Sequence, residues 1–279
     1  MGPVLHLAPA KLNLFLHVVG RRADGYHELQ TVFRFVDHGD RLAFEPRADG
    51  VVRRVTDVAG VRHDDDLVVR AAHLLRQVTG TSQGADIVVD KRLPLGGGLG
   101  GGSSDAATTL MALNALWKTG LDRQALQTLG LRLGADVPVF VFGRSAWAEG
   151  VGERLQPIEL PPAWYTVLIP PVAVSTAAIF GRPELTRNGD RIKLAAFSTG
   201  CGRNDLESVV CALYPEVAEF LGWLSRFGAA RMTGSGACVF CPFDNADTAE
   251  RVFASRPRHW NGFVARGLDR HPLYDVVGN

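Results

Sequence analysis

Residues 93–117 read "LPLGGGLGGGSSDAATTLMALNALW", with six glycines in the seven positions from Gly96 to Gly102. Glycine is entropically unfavourable to order, but it permits positive φ and lets a ligand approach the bare backbone. Ser103, Ser104 and Asp105 follow, all good N-cap residues, and then Ala106, Leu110, Leu113 and Trp117 recur at helical spacing. The stretch is therefore a glycine loop that opens a helix. Unpaired N–H groups and a partial positive charge at the helix start make such a loop a phosphate cradle. The Walker pattern is absent, because no lysine follows the glycines until Lys118. The dinucleotide fingerprint can be laid on Gly96, Gly98 and Gly101, but the glycine density makes that match uninformative, and the preceding strand does not stand at the start of a doubly wound domain. A nicotinamide enzyme is the lesser alternative.

The 279 residues can form one large domain or two ordinary ones, and a 46% hydrophobic content supplies a real core. With 30 basic and 29 acidic residues the net charge is +1, so there is no basic excess to neutralise nucleic-acid phosphates. The start "MGPVLHLAPAKLNL" lacks the basic and long apolar regions of a signal peptide, and no run approaches a membrane span. A cytoplasmic protein with no nucleic-acid or membrane partner is expected, as a monomer or homodimer. Of the four cysteines, Cys201, Cys211, Cys238 and Cys241, the last two have zinc-like spacing but lie in an apolar run with no second pair. They read as buried thiols, which suits a reducing compartment.

Outward from the glycine loop, "KLNLFLHVV" alternates, with Leu12, Leu14, Leu16 and Val18 on one face and Lys11, Asn13, Phe15 and His17 on the other, and predicts a half-buried strand. A turn at Asp24-Gly25, a strand from about Leu29, and separate strands at "DRLAFEP" and "VVRRVTDV" follow. A helix ends at Gly80, a strand begins near Ala85, and "DRQALQTLGLRLG" predicts another helix after the glycine loop. The segment from Gly134 to Leu155 reads as extended, since Pro138 disfavours helix at Val137. Prolines 157, 161 and 162 mark a seam, so two domains, 1–156 and 157–279, are expected. The second half predicts a strand at "YTVLIPP", helices near "TAAIFGRPEL" and along "NDLESVVCALYPEVAEFLGWLSRFG", and a strand-turn-strand at "AARMTGSGACVFCPF". The class is α+β.

Lys11 and Asn13 share a strand face, from which a lysine can clamp a phosphate or act on a hydroxyl. Read alone, Lys11 is a solvated charge. Asp136, in "GADVPVF", is held between a helix end and a proline-stiffened turn, where a carboxylate can orient or deprotonate a hydroxyl, or simply cap a turn. "MTGSGACVF" is a second small-residue loop that can bring backbone donors to phosphate or pack under the first.

Together these motifs resemble the GHMP small-molecule kinases. "PLGGGLGGGSSDAA" is similar to their phosphate loop and "MTGSGACVF" to their C-terminal glycine motif. "PAKLNLFLHVVGRRADGYHELQTVF" and "GADVPVF" resemble the branch whose acceptor is the cytidine-diphosphate conjugate of methylerythritol, on the non-mevalonate route to isoprenoids. The resemblance implies two domains, the first with a left-handed βαβ crossover and the second ferredoxin-like. It implies transfer of the γ-phosphoryl group of ATP, carried with Mg2+, to the acceptor's 2-hydroxyl. Asp136 matches the catalytic aspartate and Lys11 the catalytic lysine that supports charge beside it. Lys91 and the run Pro94, Leu95, Gly96, Gly97, Gly98, Leu99, Gly100, Gly101, Gly102, Ser103 and Ser104 match the nucleotide side, with Ser104 a magnesium contact. Asn13, Tyr26, His27 and Phe180 match the acceptor side, with the base stacked between Tyr26 and Phe180 and its edge read at His27. The branch often has asparagine where this chain has Asp66, and an ionised carboxylate cannot donate to an adenine acceptor. Another GHMP kinase and a non-catalytic sensor on the same fold are the alternatives, and keeping both Lys11 and Asp136 argues against the sensor.

Overall fold

The computed structural model describes residues 4–198 and 202–277, so Cys201 lies outside the described residues. The first half runs β1 (His6–Arg21), β2 (His27–Arg47), β3 (Val52–Arg54), α1 (Leu67–Thr79), β4 (Gly84–Asp90), α2 (Gly101–Leu116), α3 (Arg123–Leu133), α4 (Val137–Phe142), β5 (Ala146–Gly150) and β6 (Arg154–Pro157). The second runs β7 (Trp164–Ile169), α5 (Thr176–Phe180), α6 (Leu194–Ser198), α7 (Glu207–Leu213), α8 (Pro215–Leu224), β8 (Arg231–Met232), β9 (Val239–Phe243), α9 (Ala246–Ala254) and β10 (Asn261–Leu268).

The two predicted strands at Leu29 and "DRLAFEP" are one strand of 21 residues. The run Asp37-His38-Gly39-Asp40 looks like a breaker but stays in the ladder because each member has a tertiary partner. Asp37 accepts from the Arg266 N–H, His38 stacks on Phe263 with centroids 3.8 Å apart, and Asp40 accepts from the N–H groups of Arg92 and Leu93. At Gly39 a Cβ would lie 2.0 Å from the Ala8 carbonyl oxygen, so the close approach of β1 requires glycine there. This long strand organises the sheet. β1, β4 and β5 all pair with it antiparallel, and its middle also receives the end of β10 through Val36 and Phe35.

β3 and β4 are parallel neighbours joined through α1, and the longest path across the sheet runs β3-β4-β2-β10-β7-β9-β8. Within the second half the order β10-β7-β9-β8 is antiparallel throughout, with α5 to α8 in the first crossover and α9 in the second. That is the ferredoxin-like arrangement the resemblance implied.

Two further expectations need correcting. β1 is buried on both faces: Lys11, Asn13 and His17 are as enclosed as Leu12 and Val18, because residues from both halves close over the strand. Residues 137–142 form a helix rather than an extended run. Pro138 stands in its first turn, where the missing N–H has no partner to lose and φ is already helical. Pro161 and Pro162 lie between β6 and β7, while Leu273 and Val277 pack into the core of the first half and Leu16 and Val18 into that of the second. Each half thus carries a piece of the other's core. Full burial of a side chain such as Phe35 stabilises by about 1.5–3 kcal/mol.

Candidate active site

A cavity of about 910 Å3 opens between the two halves, walled by the polar face of β1, the glycine loop, the start of α4 and the second loop. The glycine loop does not end where the sequence suggested. α2 begins at Gly101, with Gly100 in the left-handed region at φ 73° as its N-cap and no side-chain cap. Ser103, Ser104 and Asp105 therefore sit inside the helix rather than capping it. Ser103 lines the cavity, whereas Ser104 is fully buried and its Oγ has no partner among the described residues.

Three backbone-centred contacts set the loop. The Lys11 N–H donates to the Leu99 carbonyl at 3.0 Å, the Cys238 N–H to Gly97 at 3.1 Å, and the Thr233 hydroxyl to Gly98 at 3.4 Å. The second loop thus packs under the first, the closer of the two readings the sequence left open. Thr233 also accepts from the Asn13 N–H at 3.0 Å, and the Asn204 amide holds the carbonyls of Met232 and Gly234 at 2.9 and 2.8 Å. Thr233 belongs to the second loop that the sequence marked, whereas Asn204 was not singled out. It is one polar residue at the start of a helical run, with no motif around it.

Lys11 projects from β1 into the cavity with its ammonium 3.3 Å from the Asp136 carboxylate, and it also donates to Asn13 Oδ1. Lys11 is buried, while Asp136 is 36% exposed toward the cavity, so the pair presents its carboxylate outward. Asn13 is fixed in turn by donating to the Thr31 hydroxyl at 2.9 Å.

Tyr26, His27 and Phe180 line the opposite part of the cavity. The His27 and Phe180 rings stack with centroids 4.8 Å apart at 29°, while Tyr26 is 62% exposed. The aromatic pair in contact is thus His27 with Phe180. Burial first, and then the charges of Arg187 and Arg21, lower the His27 pKa and favour its neutral ring.

Lys91, Leu99 and Ser104 do not line the cavity. Leu99 is a buried apolar wedge, and the Lys91 ammonium is bound to Asp40 at 2.5 Å and Asp105 at 2.8 Å, beneath the first turn of α2. Burial works against that ammonium, but the charges of Asp105 and Asp40 outweigh it and raise its pKa. Burial, opposed by Lys91 and reinforced by Asp40, pushes the Asp105 carboxyl up to about 7. Asp66 is likewise committed: it caps α1 by accepting from the Val68 N–H at 3.0 Å and pairs with Arg54. Cys238 and Cys241 are buried and Cys211 half-buried, with burial pushing the Cys238 thiol up to about 12. Among the described residues, no cluster of three or more His, Cys, Asp or Glu side chains could hold a metal, and no helix is long and apolar enough to cross a membrane.

The profile of the GHMP kinases N terminal domain matches residues 66–144, and that of the GHMP kinases C terminal matches residues 183–262. The chain is 63% identical over 270 residues to a 4-diphosphocytidyl-2-C-methyl-D-erythritol kinase of Thiobacillus denitrificans, covering 97% of each chain. It is 60% identical over 271 residues to the enzyme of that name from Aromatoleum aromaticum, covering 97% of this chain and 95% of that one. Among solved structures, a 4-(cytidine 5'-diphospho)-2C-methyl-D-erythritol kinase superposes with a TM-score of 0.82 at 38% identity, covering 95% of this chain and 99% of that one. A homoserine kinase from Cytophaga hutchinsonii, 17% identical with a TM-score of 0.70 over 97% of this chain and 96% of its own, shares the fold.

Proposed function

Because the chain belongs to the 4-diphosphocytidyl-2-C-methyl-D-erythritol kinases of the GHMP superfamily, we propose that it transfers the γ-phosphoryl group of ATP to the 2-hydroxyl of that cytidine-diphosphate conjugate, in the non-mevalonate route to isoprenoid precursors. The observation that carries this reading is the Lys11–Asp136 pair, 3.3 Å apart and opening into the same cavity as the glycine loop. A phosphoryl acceptor needs a correctly aimed hydroxyl more than covalent help, and a carboxylate backed by an ammonium supplies the aim.

In this reading the loop from Pro94 to Gly102 lies along the triphosphate, offering backbone N–H groups and the start of α2 to its charge. Asp136 accepts the acceptor's hydroxyl proton as the oxygen attacks the γ-phosphorus. Lys11 holds Asp136 in position and stabilises charge building on the transferred group. Asn13 keeps the Lys11 ammonium aimed. Tyr26, His27 and Phe180 hold the cytidine end, so that binding energy far from the reacting centre positions the hydroxyl. Magnesium would arrive on the nucleotide, which fits a site where, among the described residues, no cluster of carboxylates forms a cage. The hydroxyl offered to it on the cavity wall is that of Ser103; that of Ser104 is fully buried behind the wall, with no partner among the described residues. Bound there, it would draw charge from the phosphoryl oxygens. The committed contacts of Lys91 and Asp66 leave the first to support the loop from beneath and the second to cap α1.

The test is incubation with ATP, magnesium and the cytidine-diphosphate conjugate, following the new phosphomonoester by phosphorus NMR. Methylerythritol phosphate without the base should be a poor acceptor, with kcat falling as well as affinity. Equal kcat/KM for acceptors with and without the base would exclude the assignment of Tyr26, His27 and Phe180.

A further inference from the structure

Arg187 stands in the polar loop between α5 and α6, and four of its five guanidinium N–H groups donate to partners in the protein. Nη2 donates to the carbonyls of Phe180 at 3.0 Å and Arg182 at 2.6 Å, and Nη1 to that of Leu185 at 3.1 Å. Nε donates to Nε2 of His27 at 3.2 Å. One side chain therefore ties the end of the helix that carries Phe180 to the ring that stacks on Phe180.

An arginine has N–H donors and no lone pair with which to accept. His27 Nε2 must then be the acceptor in this contact, and the single proton of the neutral ring sits on Nδ1. Among the described residues nothing accepts from Nδ1. The charged side chains acting on the ring, Arg187 and Arg21, are both cationic, which opposes a second proton. We infer that Arg187 is a positioning residue for base specificity: it fixes His27 in one tautomer, so that the cavity presents a single N–H donor at Nδ1 beside the Phe180 wall. The inference rests on reading this end of the cavity as the cytidine site. A fixed donor that meets N3 of the base favours cytosine, whose N3 accepts, over uracil, whose N3 carries a hydrogen.

Nitrogen-15 imidazole spectra of the unliganded protein at neutral pH should show His27 protonated at Nδ1, and Arg187→Met should turn it into a mixture of tautomers. In kinetics, the wild type should prefer the cytidine conjugate to its uridine analogue. Arg187→Met should reduce that preference about tenfold or more, through the KM of the acceptor and with that of ATP unchanged. Because Arg187 also ties down its own loop, a second pair of variants separates recognition from folding. His27→Asn carries an amide near the Nδ1 position and should keep the base preference, whereas His27→Gln reaches toward Nε2 and should lose it. The inference is overturned by a wild-type ring protonated at Nε2 or doubly protonated, by an unchanged preference in Arg187→Met, or by Gln outperforming Asn. A wild-type protein that turns over neither conjugate overturns the reading of the site; a wrong tautomer in an active enzyme overturns this inference alone.

Discussion

Asp136 occupies the N-cap position of α4, yet its carboxylate makes no capping bond. N-cap aspartates ordinarily use that oxygen on the first free N–H groups, for about 1 kcal/mol of stability. Here the oxygen is left to Lys11 and the cavity, an arrangement that gives up helix stability to keep a carboxylate accessible. Asp136→Asn keeps the shape and removes the negative charge, so kcat should fall by roughly a hundredfold or more, the usual range for a general base. The KM of both substrates should change little, since the lost interaction acts mostly in the transition state. Lys11→Met should lower kcat as well, and the double variant should be less impaired than the product of the two single effects, because the residues act as a unit. Steady-state kinetics with circular dichroism as a folding control decides it; near-normal kcat in the Asn variant would remove Asp136 from the chemistry. Lys11, Asn13 and Asp136 were legible because each sits in a motif with a recognisable neighbourhood. Arg187 was not, since "LTRNGDR" has no hydrophobic period and the contact that ties its guanidinium to His27 spans 160 residues of chain.

The phosphate loop gets its shape from a neighbouring element as much as from its own glycines. Gly98 sits at φ 76°, and a Cβ there would lie 2.2 Å from the Thr233 carbonyl oxygen, backbone against backbone. Gly98→Ala should therefore both strain the loop and push the two loops apart. Calorimetric titration with a non-hydrolysable ATP analogue should show affinity down by about tenfold or more. Gly222 is the control: it lies in α8, where an added methyl would meet nothing within 4 Å, and Gly222→Ala should leave affinity intact and stabilise by about 0.5–1 kcal/mol. Equal affinity in Gly98→Ala would mean that the loop does not depend on its contact with the second loop. At this scale the sequence was most legible where one period ran uninterrupted, as in α1 with its Gly80 cap, and least where tertiary partners overrode local signals. Pro138 looked like a helix breaker because its position within the first turn depends on where α4 starts. α9 and β10 were not identified at all; the latter is a strand broken in pattern by Gly262 and Gly267, and its pairing with both β7 and β2 becomes visible only when the halves are assembled.

The two halves are held together by the chain's last described residues, which leave β10 and return to the first core. Arg123 on α3 clasps them, donating to the carbonyls of Tyr274 at 2.6 Å and Val277 at 3.0 Å and lying 4.2 Å over the Tyr274 ring. His271 is buried beside them. Its Nδ1 accepts from the Leu273 N–H at 3.0 Å, which leaves the proton on Nε2 to face the Thr108 hydroxyl at 3.4 Å. The ring also meets Phe35 edge-on, and Phe35 stacks on Phe140 of α4, so this tail supports the helix that carries Asp136 at its start. Burial first, and then Arg123, pushes His271 down from the ordinary 6.5 to about 3. Between those two values the unfolded chain binds a proton that the folded chain refuses. Stability from this residue is therefore intact above pH 6.5 and falls by about 1.4 kcal/mol for each pH unit below it. His271→Asn can keep the bond to the Leu273 N–H but loses ring packing, so it should melt at a lower temperature near pH 7.5. It should also lose stability less steeply than the wild type between pH 6.5 and about 4.5, because it has no buried base to protonate. Thermal melts of both proteins across that series make the comparison, and parallel slopes would show that acid does not loosen the molecule through this histidine.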